Sequence, residues 1–186
     1  MPASFALKPT SASVRNYYLA LAQFANVGAR HEAAVRAAFD QLIEACAGPL
    51  KWTLVREYEL HRKGESSLRL DGALLDQYRL VHGCIEAKDD QDDLEKEMRA
   101  KLKLGYPANN TLFWQPRRAL LVQDGHVVRE LDLSKPEALV EVLAVFVTYA
   151  PPALADWKRA TEEFRERVAE LGRSVRDLIQ FARGVK

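Results

Sequence analysis

Ser67-Leu68-Arg69-Leu70-Asp71-Gly72-Ala73-Leu74-Leu75 and, a short connection later, Leu80-Val81-His82-Gly83-Cys84-Ile85-Glu86-Ala87-Lys88 read as two consecutive strands. In the second, His82, Cys84, Glu86 and Lys88 share one face and Val81, Gly83, Ile85 and Ala87 the other, because strand side chains alternate. Glu86 and Lys88 therefore project together. A neighbouring strand can bring the Asp71 carboxylate alongside them.

Outward from this pair the periodicity changes several times. Upstream, Lys51 to Leu60 is a further strand, carrying Trp52, Thr53, Val55 and Tyr58, with Lys63 to Ser66 as its turn. Two helices precede it, one through Tyr17, Leu21 and Phe24 and one through Val35, Phe39, Leu42, Ile43 and Cys46, the latter stopped by Gly48 and Pro49. Downstream, Leu94, Met98 and Leu102 mark a helix from about Asp90 to Leu104, closed by Gly105 and Pro107. Strands follow at Thr111 to Gln115, Ala119 to Gln123 and His126 to Leu131, with Asp124-Gly125 as a hairpin turn. Ser134-x-x-Glu137 has the form of a capping box and opens a helix through Leu139, Leu143 and Phe146.

Beyond Pro151-Pro152, the residues Trp157, Thr161, Phe164, Val168, Leu171, Val175, Leu178 and Ala182 recur in a seven-residue pattern. They predict a long helix that packs on its own domain or forms a seam for a partner. The order αα-βββ-α-βββ-αα makes the chain α/β, a central mixed sheet flanked by helices with helical additions at both ends. We divide it into a domain at 1–150 and a helical extension or linker at 151–186.

Composition narrows the function classes. In 186 residues, 48% are hydrophobic and 28% charged, which is a folded domain rather than a disordered or fibrous chain. Twenty-seven Lys and Arg against 26 Asp and Glu leave a net charge of +1, so no global field draws in nucleic acid or an anionic membrane. Cys46 and Cys84 alone exclude a disulfide framework and a four-cysteine zinc site. With no signal sequence and no long apolar run, a cytoplasmic location and no membrane partner are expected. No GxxxxGK[ST], GxGxxG or GxSxG pattern occurs, which sets aside P-loop, dinucleotide-binding and α/β-hydrolase chemistry. His31, His61, His82 and His126 lack metal-ligand spacing, although His82 shares the Glu86 face.

Asp71 and Glu86 together supply hard oxygen ligands of the kind Mg2+ takes, with the Ala87 carbonyl and waters completing an octahedron. Such a site suits phosphodiester hydrolysis. The attacking water must be activated, and the charge that accumulates on the phosphoryl oxygens must be neutralised. Lys88 beside the cation would orient or help deprotonate that water and act as a donor and a charge in the transition state.

The words around these residues carry a resemblance. Leu70-Asp71-Gly72, His82-Gly83-Cys84-Ile85-Glu86-Ala87-Lys88-Asp89, Asp92-Asp93-Leu94, Lys103-Leu104-Gly105-Tyr106-Pro107 with Asn110, and Leu121-Val122-Gln123-Asp124-Gly125 resemble the PD-(D/E)XK nuclease superfamily. Within it they look like the Mrr-like N-terminal nuclease domain of single-chain type ISP restriction-modification enzymes, over roughly Leu68 to Phe146. The resemblance implies a restriction-endonuclease-like core with α-β-β-β-α-β order and Mg2+-dependent cleavage of duplex DNA. It places Asp71, Glu86 and Lys88 in the three motif positions, with Leu70 where the superfamily's name has proline. It also implies linked or associated translocase, methyltransferase and target-recognition domains. Cutting both strands needs two such sites, hence a transient dimer.

Glu32 is a fourth catalytic candidate. It lies on the stripe of Phe39 and Ile43, and superfamily members often bring a glutamate from the first core helix near the metal. Glu44 is less favoured because Arg36 and Asp40 occupy its side of the helix. Seven acids between Glu86 and Glu97 read as a helix N-terminus and as i,i+4 pairs of Asp92 with Lys96, Glu95 with Arg99 and Glu97 with Lys101. Lys101, Lys103, Arg117 and Arg118 are the candidates for backbone phosphates. Because phosphate neutralisation supplies much of DNA affinity, a near-neutral chain should bind DNA weakly alone and depend on other domains for delivery. The rival expectation is a catalytically inactive module that keeps the fold and docks partners through its C-terminal helix. A nuclease acting on RNA or branched DNA is a third.

Overall fold

In the computed structural model, residues 5–27, 32–62, 64 and 66–151 are described, together with 165, 168, 172, 175, 176 and 179. Two units result, Met1–Tyr149 and Ala150–Lys186. In the first, α1 (Ala12–Val27) and α2 (Glu32–Ala47) precede β1 (Thr53–Leu60), β2 (Leu68–Leu75) and β3 (Val81–Ala87). A crossover helix α3 (Leu94–Lys103) leads to β4 (Asn110–Gln115), β5 (Arg118–Gln123), β6 (His126–Asp132) and α4 (Pro136–Thr148). The six strands form one sheet in chain order, antiparallel throughout except for the parallel β3–β4 pair. A parallel pair needs a long connection, and α3 supplies it.

Alternation along the strands splits the core. Leu54, Leu74, Ile85, Leu112, Trp114 and Leu121 pack with α1, α2 and α4 on one face, while Phe113, Leu120 and Val122 meet Leu94 and Met98 of α3 on the other. Strand β4 is buried along its whole length, as a central strand covered on both faces must be. Phe39 of α2 stacks on Trp114, ring centroids 4.1 Å apart and planes 13° from parallel, which fixes α2 against β4. Gly83 of β3 leaves room for α4: a Cβ there would stand 2.6 Å from the Phe146 ring. Burial pushes the thiols of Cys46 and Cys84 up to about 12, so neither is a ready thiolate.

Two local features differ from expectation. Helix α3 begins at Leu94 rather than Asp90, because Asp93 caps it, accepting from the Lys96 N–H at 3.1 Å. The preceding acids form a loop that Gln115 holds through the Asp89 and Asp92 carbonyls. The capping box at Ser134 is not made: the Ser134 hydroxyl donates to Asp132 at 2.6 Å, and α4 starts after Lys135 with Pro136 in its first turn. The Asp124-Gly125 hairpin has the left-handed angles its sequence calls for, φ 49° and 81°.

In the second unit the described residues from 165 onward are helical, and Val168 and Val175 of the seven-residue pattern are exposed. Trp157, Thr161, Phe164, Leu171, Leu178 and Ala182 lie outside the described residues. Among the described residues no helix is long and apolar enough to cross a membrane.

Candidate functional site

Pairing between β2 and β3 ends at Gly72 opposite Ile85, one step before Asp71 would face Glu86. There the side chain replaces the ladder: Asp71 Oδ2 accepts from the Ala87 N–H at 2.9 Å. Arg36 of α2 holds the same residue from behind, donating to the Asp71 carbonyl at 2.8 Å, with its guanidinium 3.4 Å from Oδ1. Asp71 is thus fixed at the end of the strand pairing, its carboxylate about one-third exposed.

Glu86 sits on the α3 face of β3, beside Phe113 in the parallel register, and is only 2% exposed. Burying a carboxylate is costly unless it is paired. Two ammonium groups pair it, Lys88 Nζ at 3.3 Å and Lys101 Nζ at 2.6 Å, both on Oε1. Oε2 is buried with no hydrogen-bond partner among the described residues. Lys88, anchored through its N–H on the Trp114 carbonyl, also reaches Glu97 of α3 at 3.1 Å. Burial works against its charge, but the bonds to Glu97 and Glu86 outweigh it and hold the ammonium above its ordinary range.

The sequence candidates separate accordingly. Where β2 and β3 part, Asp71 meets the Ala87 N–H and Lys88 meets Glu86. Glu32 opens α2, and its side chain lies outside the described residues. Of the phosphate candidates, Lys101 is drawn into the site, Lys103 and Arg117 are exposed, and Arg118 is held by Glu95 at 3.1 Å and by Glu130. The expected Glu97–Lys101 pair is absent, since both residues turn inward to Lys88 and Glu86, whereas Glu95–Arg99 forms at 2.9 Å. His82 stacks on Trp52 and bonds Asp76 at 3.0 Å.

Arg36, Glu97 and Tyr106 take part without having been singled out for the site, and Lys101, expected at backbone phosphate, pairs with Glu86 instead. Lys101 carried a signal: at 100° per residue it falls within about 20° of Leu94, on the side away from Met98, at the edge of the apolar stripe of α3. A lysine there must reach a buried partner or a rim.

Among the described residues no three His, Cys, Asp or Glu side chains come together as a closed ligand cage. Mg2+ does not need one, since it keeps several waters and takes one or two carboxylates. Asp71 and the open oxygen of Glu86 on adjoining strands fit that donor set.

No family model and no curated protein matches the chain. Among solved structures, a chain in the cryo-EM structure of a DrdV–DNA complex matches it with 31% sequence identity and a TM-score of 0.74. The match covers 83% of this chain and 15% of that one, so the present chain spans a small part of its neighbour's length. With the six-stranded mixed sheet and its flanking helices, this likeness makes the fold restriction-endonuclease-like.

Proposed function

We propose that the chain is a Mg2+-dependent endodeoxyribonuclease, the cleavage module of a type ISP-like restriction-modification system acting on duplex DNA. The observation that carries this reading is the buried Oε2 of Glu86, without a hydrogen-bond partner among the described residues, on a carboxylate that Lys88 also holds and on the strand adjoining the one that carries the fixed Asp71. The DNA in the neighbouring structure supports the substrate class, and the sequence resemblance supports the reaction.

Mg2+, when bound, supplies charge neutralisation at the phosphoryl group and lowers the cost of deprotonating water. The residues supply placement. The Ala87 N–H and Arg36 fix Asp71 so that its carboxylate does not have to be ordered during the reaction. Glu86, enclosed by the sheet and α3, offers Oε2 as a preformed ligand atom. Lys88 keeps its proton because Glu97 and Glu86 stabilise the ammonium, so it serves as a donor and a charge to the phosphoryl oxygens rather than as a base. Delivery to DNA is assigned to associated translocase and target-recognition domains, and double-strand cleavage to transient pairing of two such sites.

The test is plasmid relaxation by the chain fused to a DNA-binding domain, which removes weak affinity as an explanation. Nicking in Mg2+ that stops with chelator is the expected result. Intact supercoiled plasmid in Mg2+ and in chelator alike would favour an assembly module that lost catalysis.

A further inference from the structure

Four charges meet between β3 and α3: the buried Glu86 and the partly exposed Glu97 against Lys88 and Lys101. Their formal sum is zero, and each carboxylate has an ammonium within 3.3 Å. The two lysines are not equivalent. Lys88 has two anionic partners, Glu86 and Glu97, and its side chain is 16% exposed. Lys101 has one anionic partner, Glu86, and a neutral one, the Tyr106 hydroxyl at 2.9 Å, and is 23% exposed.

Tyr106 is itself committed. Its hydroxyl donates to the Arg69 carbonyl at 2.7 Å, leaving a lone pair to accept from Lys101. The Lys101 ammonium also lies 4.6 Å from the centre of the Tyr106 ring, close enough for the ring face to stabilise a cation. Tyr106 therefore offers the ammonium a second resting place that needs no carboxylate.

A divalent ion ligated by Glu86 would bring two positive charges beside two ammonium groups already on that carboxylate. In a poorly solvated interior this repulsion is strong, and the group with the weaker remaining hold must leave. Lys88 retains Glu97. Lys101 retains only an uncharged phenol and is the more exposed.

We propose that Lys101 is a built-in counter-cation that holds the Glu86 site in its metal-free state and exchanges with the divalent ion. Tyr106 is the positioning residue that receives the displaced ammonium. This rests on the metal-binding reading above and adds a step to it: loading the site shifts one positive charge from Glu86 onto Tyr106.

The test is calorimetric titration of the full chain with Mg2+, and separately with Ca2+, without DNA, for the parent, Lys101→Met and Glu86→Gln. Removing the competing ammonium is expected to tighten divalent-ion binding roughly tenfold, while Glu86→Gln abolishes it. General structural damage would weaken binding instead. Lys101→Gln serves if the methionine variant is unfolded at the titration temperature. A reading on the parent needs no substitution: the NMR signal of the Lys101 ammonium, shielded by Glu86 and Tyr106, should shift or vanish as Mg2+ is added, while that of Lys88 persists. Unchanged or weaker affinity in both Lys101 variants, with Glu86→Gln still abolishing binding, would overturn the exchange and leave the metal reading standing. No binding heat in the parent or in either Lys101 variant would overturn both.

Discussion

Mg2+-dependent plasmid nicking is expected to fall by at least about a thousandfold in Glu86→Ala and by about a hundred- to a thousandfold in Lys88→Ala. The inequality follows from what each change leaves behind. Without Glu86 the site loses its buried carboxylate, Lys88 keeps only Glu97, and Lys101 is left with no anionic partner, so the two ammonium groups repel an incoming cation. Without Lys88 the Glu86–Lys101 pair survives, and Glu97 loses its partner at a more exposed position. Metal can still enter, but the phosphoryl group loses a donor. Because the groups act on one reacting centre, the double variant is expected to be no slower than Glu86→Ala alone. Lys88→Arg should not rescue, since a planar guanidinium does not match an ammonium held between two carboxylates. Equal nicking by the parent and both alanine variants would show that the activity does not come from this site.

Phe39→Ala should lower the stability of the first unit by about 3–5 kcal/mol, the usual cost of deleting a buried aromatic ring. Phe39 is 1% exposed, stacks on Trp114 and meets Tyr17 at 6.1 Å, so three elements lose their common contact. Urea unfolding followed by the tryptophan signal reads the change, with the slope against denaturant expected to hold while the midpoint drops. Function should suffer beyond stability. Helix α2 carries Arg36 onto Asp71, and Trp114 carries the carbonyl that anchors Lys88. Nicking measured well below the variant's unfolding midpoint is therefore expected to be reduced as well. A loss under about 1 kcal/mol would mean that the α2–β4 contact is not the strut described here.

Much of this architecture was legible because period-two and period-3.6 patterns do not overlap in this chain. The β2 and β3 segments could be placed to within a residue or so, and Asp124-Gly125 marked its hairpin through backbone angles few other residue pairs adopt. Boundaries set by competing polar groups were harder. Four aspartates before α3 could each have capped it, and only packing of Leu94 and Met98 against Phe113 selects Asp93. Ser134 had a nearer acceptor in Asp132 than the backbone it was expected to cap.

At the site, Glu86 and Lys88 were legible because their spacing on a strand fixes their side. Glu97 and Lys101 were read as a surface pair because an i,i+4 spacing satisfies them locally, and nothing in that spacing says a buried carboxylate competes for the lysine. Arg36 was noticed only as a neighbour of Glu44. The stripe of Arg36, Asp40 and Glu44 faces the sheet, with Arg56 of β1 bonding Asp40 at 2.6 Å and Glu44 at 2.9 Å, so the polar side of α2 is the side that serves Asp71. Which face of a helix meets a sheet through charge rather than through apolar side chains is a tertiary fact.

Diffraction from crystals soaked in Mn2+ and measured at the manganese edge addresses the metal site most directly, since the ion's position is read without assuming any activity. An anomalous peak within ligand distance of both the Glu86 and the Asp71 carboxylates is the expected result. Manganese bound elsewhere, or none at that position at saturating concentration, would contradict it.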